Sequence, residues 1–91
     1  MLYPVAIEVG SEDYAFGVVV PDLKGCFSAG DSYEEALSNV VEAIEGHLEL
    51  MAENGELPPQ PSAVEDLIVA SEYSGWVWAL VNPFPPRVRQ P

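Results

Sequence analysis

The stretch PDLKGCFSAGDSYEEA, residues 21–36, decides the fold, because within it a β-strand pattern gives way to a helix start. Pro21 ends the preceding strand, since its nitrogen has no hydrogen to donate to a ladder. Asp22 can accept hydrogen bonds within the turn, and Gly25 permits the positive φ that a chain reversal requires. Each of these residues has a structural role, so the stretch predicts a turn rather than a catalytic loop.

The end of the same stretch predicts where a long helix begins. Gly30 frees the backbone just before Ser32, whose hydroxyl can accept a hydrogen bond from the amide of Glu35 in a capping box. Apolar residues then recur at helical spacing at Tyr33, Leu37, Val40, Ile44, Leu48 and Met51. Asn54 and Gly55 supply a C-terminal stop, because glycine accepts the left-handed conformation that ends a helix. The predicted helix is about 33 Å long, enough to cross a small sheet.

Alternating apolar residues before and after this stretch predict the strands. In residues 3–9, YPVAIEV, and 14–20, YAFGVVV, every second position is apolar, and the turn residues between the two runs favour an antiparallel hairpin. Residues 26–29, CFSA, are short enough for a third strand at an edge, and residues 75–81, GWVWALV, predict a last strand. This order of elements is typical of an α+β fold in which one helix packs on a small sheet.

The chain between the helix and the last strand is rich in proline. Residues 57–62, LPPQPS, predict an extended connector that continues neither helix nor sheet. Ser62 and Glu65 repeat the capping-box spacing and predict a short helical turn after it. Nothing in the pattern marks a boundary between domains, so we expect one domain over residues 1–82. Residues 83–91 are expected to form a flexible, Pro-rich tail.

The alternation also predicts which residues the helix covers. The residues expected beneath the helix are Val5, Ile7, Phe16, Val18, Trp76 and Trp78. The opposite face is then expected to carry small, uncharged residues, namely Ala6, Ala15, Gly17, Val19, Val77 and Ala79. A flat apolar face without a cover is a candidate contact surface. We expect a homo-oligomer, a dimer or higher, held there or through edge strands, with cover by the tail as the alternative.

Charge restricts the classes of partner. The chain has 91 residues and a formal net charge of -12, and Lys24 is the one Lys or Arg before the last five residues. Such a surface repels phosphate, so we expect no direct nucleic-acid binding by this chain. The charge favours either simple solubility or a basic protein partner. No apolar run approaches the roughly 18 residues of a membrane span, and we expect a cytoplasmic protein with no membrane contact.

Two catalytic hypotheses compete with a binding role, and the sequence supports neither. Cys26 with His47 as its base needs a thiol of lowered pKa, whereas the surplus of carboxylates acts in the opposite direction. Glu8 on the first strand is a candidate for a magnesium-dependent nuclease site, but most acids lie on the helix instead. We therefore predict no catalytic residue, no cofactor and no metal site, and interpret Cys26 as a small buried thiol.

The outer face of the predicted helix is acidic along its whole second half. Glu45, Glu49 and Glu53 are spaced four apart, and each like-charge pair costs roughly 0.2–0.5 kcal/mol. Glu49 and Glu53 also lie near the negative end of the helix dipole, where cations are favoured. A basic partner would relieve this repulsion, and a solvated acidic face without a partner is the alternative.

The order of these motifs resembles the N-terminal domain of HicB-family antitoxins over about residues 3–81. The motifs that carry the resemblance are Pro21-Asp22-Leu23, Gly25-Cys26, Gly30-Asp31, Glu34-Glu35-Ala36 and the later Pro58, Pro59, Pro61 and Ser62. The resemblance implies a partial ribonuclease H-like fold: a three-stranded antiparallel meander, one long helix, and a fourth strand beside the first. It also implies a partner, a small basic HicA-type toxin that cleaves RNA with a histidine and that the antitoxin neutralises.

The resemblance and the charge together predict a toxin-binding surface on the helix and the turn before it. Its predicted residues are Asp22, Leu23, Glu35, Glu42, Glu45 and Glu49, while the turn and cap are shaped by Pro21, Gly25, Cys26, Gly30 and Ser32. Typical family members carry a further C-terminal domain that binds DNA, and we expect no such activity from residues 1–91. The alternatives are a degenerate metal-dependent nuclease or hydrolase, and an orphan HicB-like oligomeric scaffold.

Overall fold

The computed structural model describes residues 1–83, which form a four-stranded antiparallel sheet with one long helix packed on it. The elements are β1 (Tyr3–Glu8), β2 (Phe16–Val19), β3 (Phe27–Gly30), α1 (Tyr33–Glu53), α2 (Val64–Ile68), a 3₁₀ turn (Ser71–Tyr73) and β4 (Val77–Val81). The strand order is β3-β2-β1-β4, so the last strand lies beside the first. The predicted α+β fold is therefore confirmed. Of the predicted tail, only Pro83 belongs to the described residues, and its side chain is buried.

The central strand β1 supplies the most deeply buried side chains of the sheet. Tyr3, Val5 and Ile7 are fully buried on the face that α1 covers, as the alternation predicts. The same core contains Val18, Val20, Leu23, Cys26, Ala36, Val40, Ile44, Leu48 and Val81. Removal of these apolar side chains from water is the main favourable contribution to folding, so the core fixes how α1 lies on the sheet.

The register of β4 reverses the predicted assignment of its two faces. Val5 of β1 lies opposite Ala79, and Ala6 lies opposite Trp78. Residues directly opposite each other in a ladder share a face, so Val77 and Ala79 face α1 and Trp78 faces away from it. The prediction that Trp78 packs beneath the helix is therefore wrong, as is the placement of Val77 and Ala79 on the opposite face.

An aromatic contact accounts for the position of Trp78. The ring of Tyr73, from the connection before β4, meets Trp78 edge-on at 5.4 Å and Trp76 at 5.5 Å between centroids. The face of the sheet opposite α1 is covered in part, because Ala6 at its middle is fully buried. Towards the β3 edge it does open, and Phe27 is 71% exposed there. Self-association through this face or the edge strands stays a prediction.

Both ends of α1 follow from local sequence. Ser32 is the N-cap, and its hydroxyl accepts from the Glu35 amide at 3.1 Å while Glu35 Oε1 accepts from the Asp31 amide at 3.4 Å. At the other end Gly55 has φ 76°, and its amide donates to the Ala52 carbonyl at 3.0 Å. The predicted capping box and glycine stop are thus confirmed. Within residues 1–83, no helix combines the length and the apolar character needed to cross a membrane.

Two glycines in residues 21–36 are required by backbone geometry. Gly25 has φ 84°, the left-handed region that other residues rarely adopt. Gly30 lies where β3 passes directly into α1, and a Cβ added there would be 2.5 Å from the Ala36 amide nitrogen. The stretch is therefore a turn followed by a tight strand-to-helix junction, as the sequence predicts.

The connector after α1 is tied to the start of the sheet by side chains. The Tyr3 hydroxyl donates to the Pro59 carbonyl at 2.6 Å. The Asp22 carboxylate accepts from the Ser62 amide at 2.8 Å and from the Ser62 hydroxyl at 2.5 Å. α2 consequently has Ala63 as its N-cap, with no side-chain cap. The capping box predicted at Ser62 is wrong: its amide and hydroxyl both donate to Asp22, and the helix begins one residue later than that spacing requires.

Candidate protein-interaction surface

Four glutamates form an acidic ridge along the side of α1 that faces away from the sheet. The acidic ridge consists of Glu42, Glu45, Glu49 and Glu53. Its members are three or four residues apart, so their side chains are neighbours on one helix face. The buried residues of α1 lie on the other side, at Ala36, Val40, Ile44 and Leu48. Three ridge carboxylates are exposed, and that of Glu45 is half-buried.

The acidic ridge has no basic counterpart on its own helix. α1 contains no Lys or Arg, its last turn has no basic residue, and Lys24 is the one Lys or Arg among residues 1–83. Neighbouring carboxylates therefore repel each other, and Glu49 and Glu53 also lie near the negative end of the helix dipole. The result is a concentrated negative potential that a cationic protein surface would neutralise.

The other three residues predicted to bind a partner have contacts within the fold. Glu35 accepts from the Asp31 amide as part of the helix cap. Asp22 accepts two hydrogen bonds from Ser62, 40 residues away. Leu23 is only 2% exposed and belongs to the hydrophobic core. The structure thus brings the three predicted glutamates of the acidic ridge together on one face, and it places the other three predicted residues in contacts that hold the fold.

The thiol of Cys26 is buried against the core. Cys26 is 5% exposed, and burial raises the pKa of its thiol. A nucleophilic cysteine needs the opposite shift, towards the thiolate. His47, the base in the catalytic hypothesis, is half-buried on α1. These observations agree with a small apolar role for the thiol and give the cysteine hypothesis no support.

The acids of the sheet do not converge. Among residues 1–83, no group of three or more His, Cys, Asp or Glu side chains is arranged to hold a metal ion. Glu8 lies exposed at the end of β1, opposite Gly17. A two-metal nuclease site requires several carboxylates around one position, so the described residues give the nuclease hypothesis no support either.

A shallow apolar groove adjoins the acidic ridge, and sequence reasoning missed it. The groove has a volume of about 330 Å³ and is lined by Met1, Leu48, Glu49, Ala52 and Pro58. Its lining comes from three separate segments that meet only when the chain folds. The sequence signal that indicates it is weak: apolar residues without periodicity at the N-terminus and beside the proline-rich connector.

Comparisons with known proteins agree on one relationship. A model of the HicB-like antitoxin family of bacterial toxin–antitoxin systems matches residues 3–89. The chain is 43% identical over 82 residues to an uncharacterised 14.9 kDa protein of Haemophilus phage HP1; the match covers 90% of this chain but only 60% of the phage protein.

Solved structures give the same picture. The N-terminal domain of the Burkholderia pseudomallei antitoxin HicB aligns with a TM-score of 0.77 and 41% identity, over 90% of this chain and 96% of that one. A chain of the HicA3–HicB3 toxin–antitoxin complex aligns with a TM-score of 0.75 and 29% identity, over 90% and 96% respectively. Both the sheet order and the helix described above are therefore shared with solved antitoxin domains.

Proposed function

The chain belongs to the HicB-like antitoxin family of bacterial toxin–antitoxin systems, and we propose that it neutralises a small, basic, RNA-cleaving toxin of the HicA type by binding it. In this proposal the chain acts in the cytoplasm, contributes no catalytic residue and needs no cofactor. The toxin is inactive while bound because the surface it uses to reach RNA is covered.

The observation that carries the proposal is the acidic ridge on α1. It is a row of carboxylates on a rigid helix, with no Lys or Arg on that helix to neutralise them. A protein that binds RNA must present Lys and Arg to phosphates. A row of carboxylates offers the same charge to the same surface, so antitoxin and RNA compete for it. Complementary charge also speeds the encounter and suppresses unsuitable partners.

The structural neighbours support a protein partner of this kind. One of them was solved as a complex of HicA3 with HicB3, and the chain that aligns is covered almost completely by the present fold. The buried Cys26 thiol supports a non-catalytic role, because burial raises its pKa and keeps it protonated.

Neutralising three members of the acidic ridge tests the proposal. We expect Glu42→Gln, Glu45→Gln and Glu49→Gln together to weaken toxin binding about 10- to 100-fold, since each exposed charge contact contributes roughly 0.5–1 kcal/mol. The measurement is calorimetric or surface-based titration of a HicA-type toxin sought beside this gene, with its histidine replaced so that it cannot cleave RNA. Inhibition of RNA cleavage by the unmodified toxin gives the functional readout.

A matched variant separates the position of the charges from their number. Glu12→Gln, Asp13→Asn and Glu72→Gln together remove the same charge from exposed positions outside α1. This control is expected to bind the toxin within about threefold of the parent chain. Equal binding by both triple variants would contradict a role for the acidic ridge, and no binding by the parent chain would contradict the proposed function itself.

A further inference from the structure

The apolar groove beside the acidic ridge lies between α1, the connector that follows it and the N-terminal residue. One wall is the C-terminal half of α1, with Leu48 and Ala52, and the other is formed by Met1 and Pro58. The Tyr3 hydroxyl fixes the residue after Pro58 through its 2.6 Å bond to the Pro59 carbonyl. The α1 wall and Pro58 are therefore tied to the folded core, through the buried Leu48 and the Tyr3–Pro59 hydrogen bond.

The surroundings of the groove are apolar and exposed. Met1 is 53% exposed and Leu57, next to Pro58 in the chain, is 88% exposed. Leu2 is also about half exposed. A single exposed leucine is common on protein surfaces. Several large, exposed apolar side chains around one groove are typical of an interaction site.

One charged side chain lines the groove, and it belongs to the acidic ridge. Glu49 contributes to the lining, while Glu45 and Glu53 lie one turn away on either side along α1. Lys24, the one Lys or Arg of residues 1–83, lies in the turn between β2 and β3. A binding partner that matches both the apolar lining and the Glu49 carboxylate has an apolar side chain that enters the groove and a nearby Lys or Arg that pairs with Glu49.

We propose that the groove formed by Met1, Leu48, Ala52 and Pro58 anchors an apolar side chain of the basic toxin, next to a toxin Lys or Arg that pairs with Glu49. This inference rests on the proposed function, and it adds the location of the apolar part of the interface. The two features act at different stages of binding. The acidic ridge attracts the toxin and sets the association rate, whereas a side chain desolvated in the groove slows dissociation.

Filling the groove without changing its charge tests this inference. Ala52 is exposed and lines the groove, so Ala52→Trp occupies it with little effect on the core. We expect at least tenfold weaker binding of the cleavage-inactive toxin, mostly through faster dissociation. The defect should persist at 0.5 M NaCl, where the defect of the ridge variants shrinks. Ala52→Gln, a smaller polar change, should give the same direction with a smaller effect.

Leu50→Trp is the matched control, because Leu50 is exposed on the same helix and does not line the groove. It is expected to bind within about twofold of the parent chain, and circular dichroism confirms that each variant is folded. If the parent chain binds the toxin and both Ala52 variants bind it as tightly as the parent does, the groove proposal is wrong while the proposed function stands. If the parent chain does not bind the toxin, both are wrong.

Two other occupants would also overturn the groove proposal. If Ala52→Trp changes the sedimentation of the chain alone and leaves toxin binding intact, the groove joins two copies of this chain. If Ala52→Trp leaves toxin binding intact and speeds proteolytic cleavage within residues 84–91, the groove holds that segment of this chain rather than the toxin.

Discussion

At the scale of single residues, Asp22 is the contact that joins the turn after β2 to the connector after α1. Its carboxylate accepts from both the amide and the hydroxyl of Ser62, at 2.8 and 2.5 Å. The same carboxylate lies close enough to Tyr3 to contribute to the raised pKa of that phenol, after the larger effect of burial. Asp22 therefore holds the end of the connector, just before α2, against the turn after β2.

Removing this carboxylate is expected to destabilise the fold. Asp22→Ala leaves the Ser62 amide without its acceptor, and we expect the free energy of unfolding to fall by about 1–3 kcal/mol. Ser62→Ala should cost less, because the amide of residue 62 still donates to Asp22. Urea unfolding followed by the fluorescence of Trp76 and Trp78 measures both. Asp13→Ala removes an acid from an exposed turn and should change stability by less than about 0.5 kcal/mol; equal effects of the two Asp variants would contradict the assigned role.

Residue roles set by near neighbours could be predicted, and roles set by distant ones could not. Gly25 and Ser32 act through backbone geometry and contacts within three residues, so their types and spacing were sufficient. Ser62 shows the limit: its capping-box spacing was correct, but the hydroxyl bonds to a residue 40 positions away. A local motif fixes the partner of a side chain only when no stronger partner from a distant part of the chain reaches that side chain in the folded protein.

At the scale of elements, α1 combines a well-capped N-terminus with two features in its second half that lower helix stability. The N-cap is complete, and Glu34 and Glu35 lie at the positive end of the dipole. Further along, the acidic ridge has no Lys or Arg beside it, and Gly46, a poor helix former, lies within the helix although a Cβ there would meet nothing within 4 Å. Both features lower helix stability and both face away from the sheet, which is expected where a surface is kept for binding.

Two glycine substitutions in and after α1 should have opposite effects. Gly46→Ala is expected to raise the free energy of unfolding by about 0.5–1 kcal/mol, since glycine is a poor helix former and the added methyl has open space. Gly55→Ala should lower it, because Gly55 has φ 76° and alanine is strained there. Thermal and urea unfolding measure both changes. A destabilising Gly46→Ala would show that the helix is distorted at that point.

Element types and order were predictable from helical spacing in α1, from alternation in the first two strands and from the turn residues between elements, but the faces of β4 were not. The sequence of this strand places apolar residues at every position from Trp76 to Val81, so alternation does not distinguish its two sides. The register with β1 decides the matter, and it places the smaller side chains beneath α1. The apolar groove escaped prediction for a related reason, since its lining has no period and comes from three segments.

At the scale of the whole molecule, charge acts on stability and on binding in opposite ways. A net charge of -12 on 91 residues makes the compact state repel itself, and the described part of the chain has one Lys or Arg to offset it. The same charge attracts a basic toxin. Screening by salt weakens both the repulsion within the chain and the attraction to its partner, over a Debye length of about 10 Å at 0.1 M.

Salt is therefore expected to stabilise the free chain while it weakens the complex. Between about 0.05 and 0.5 M NaCl, we expect the melting temperature of the chain to rise by a few degrees and its affinity for the cleavage-inactive toxin to fall by at least about tenfold. Scanning calorimetry and titration in the same buffers measure the two slopes.

Both triple variants should flatten the stability slope, because self-repulsion depends on the total charge. Only the variant of the acidic ridge should flatten the affinity slope, because binding depends on where the charges lie; an affinity that does not change with salt would show that the complex is held by apolar contacts alone.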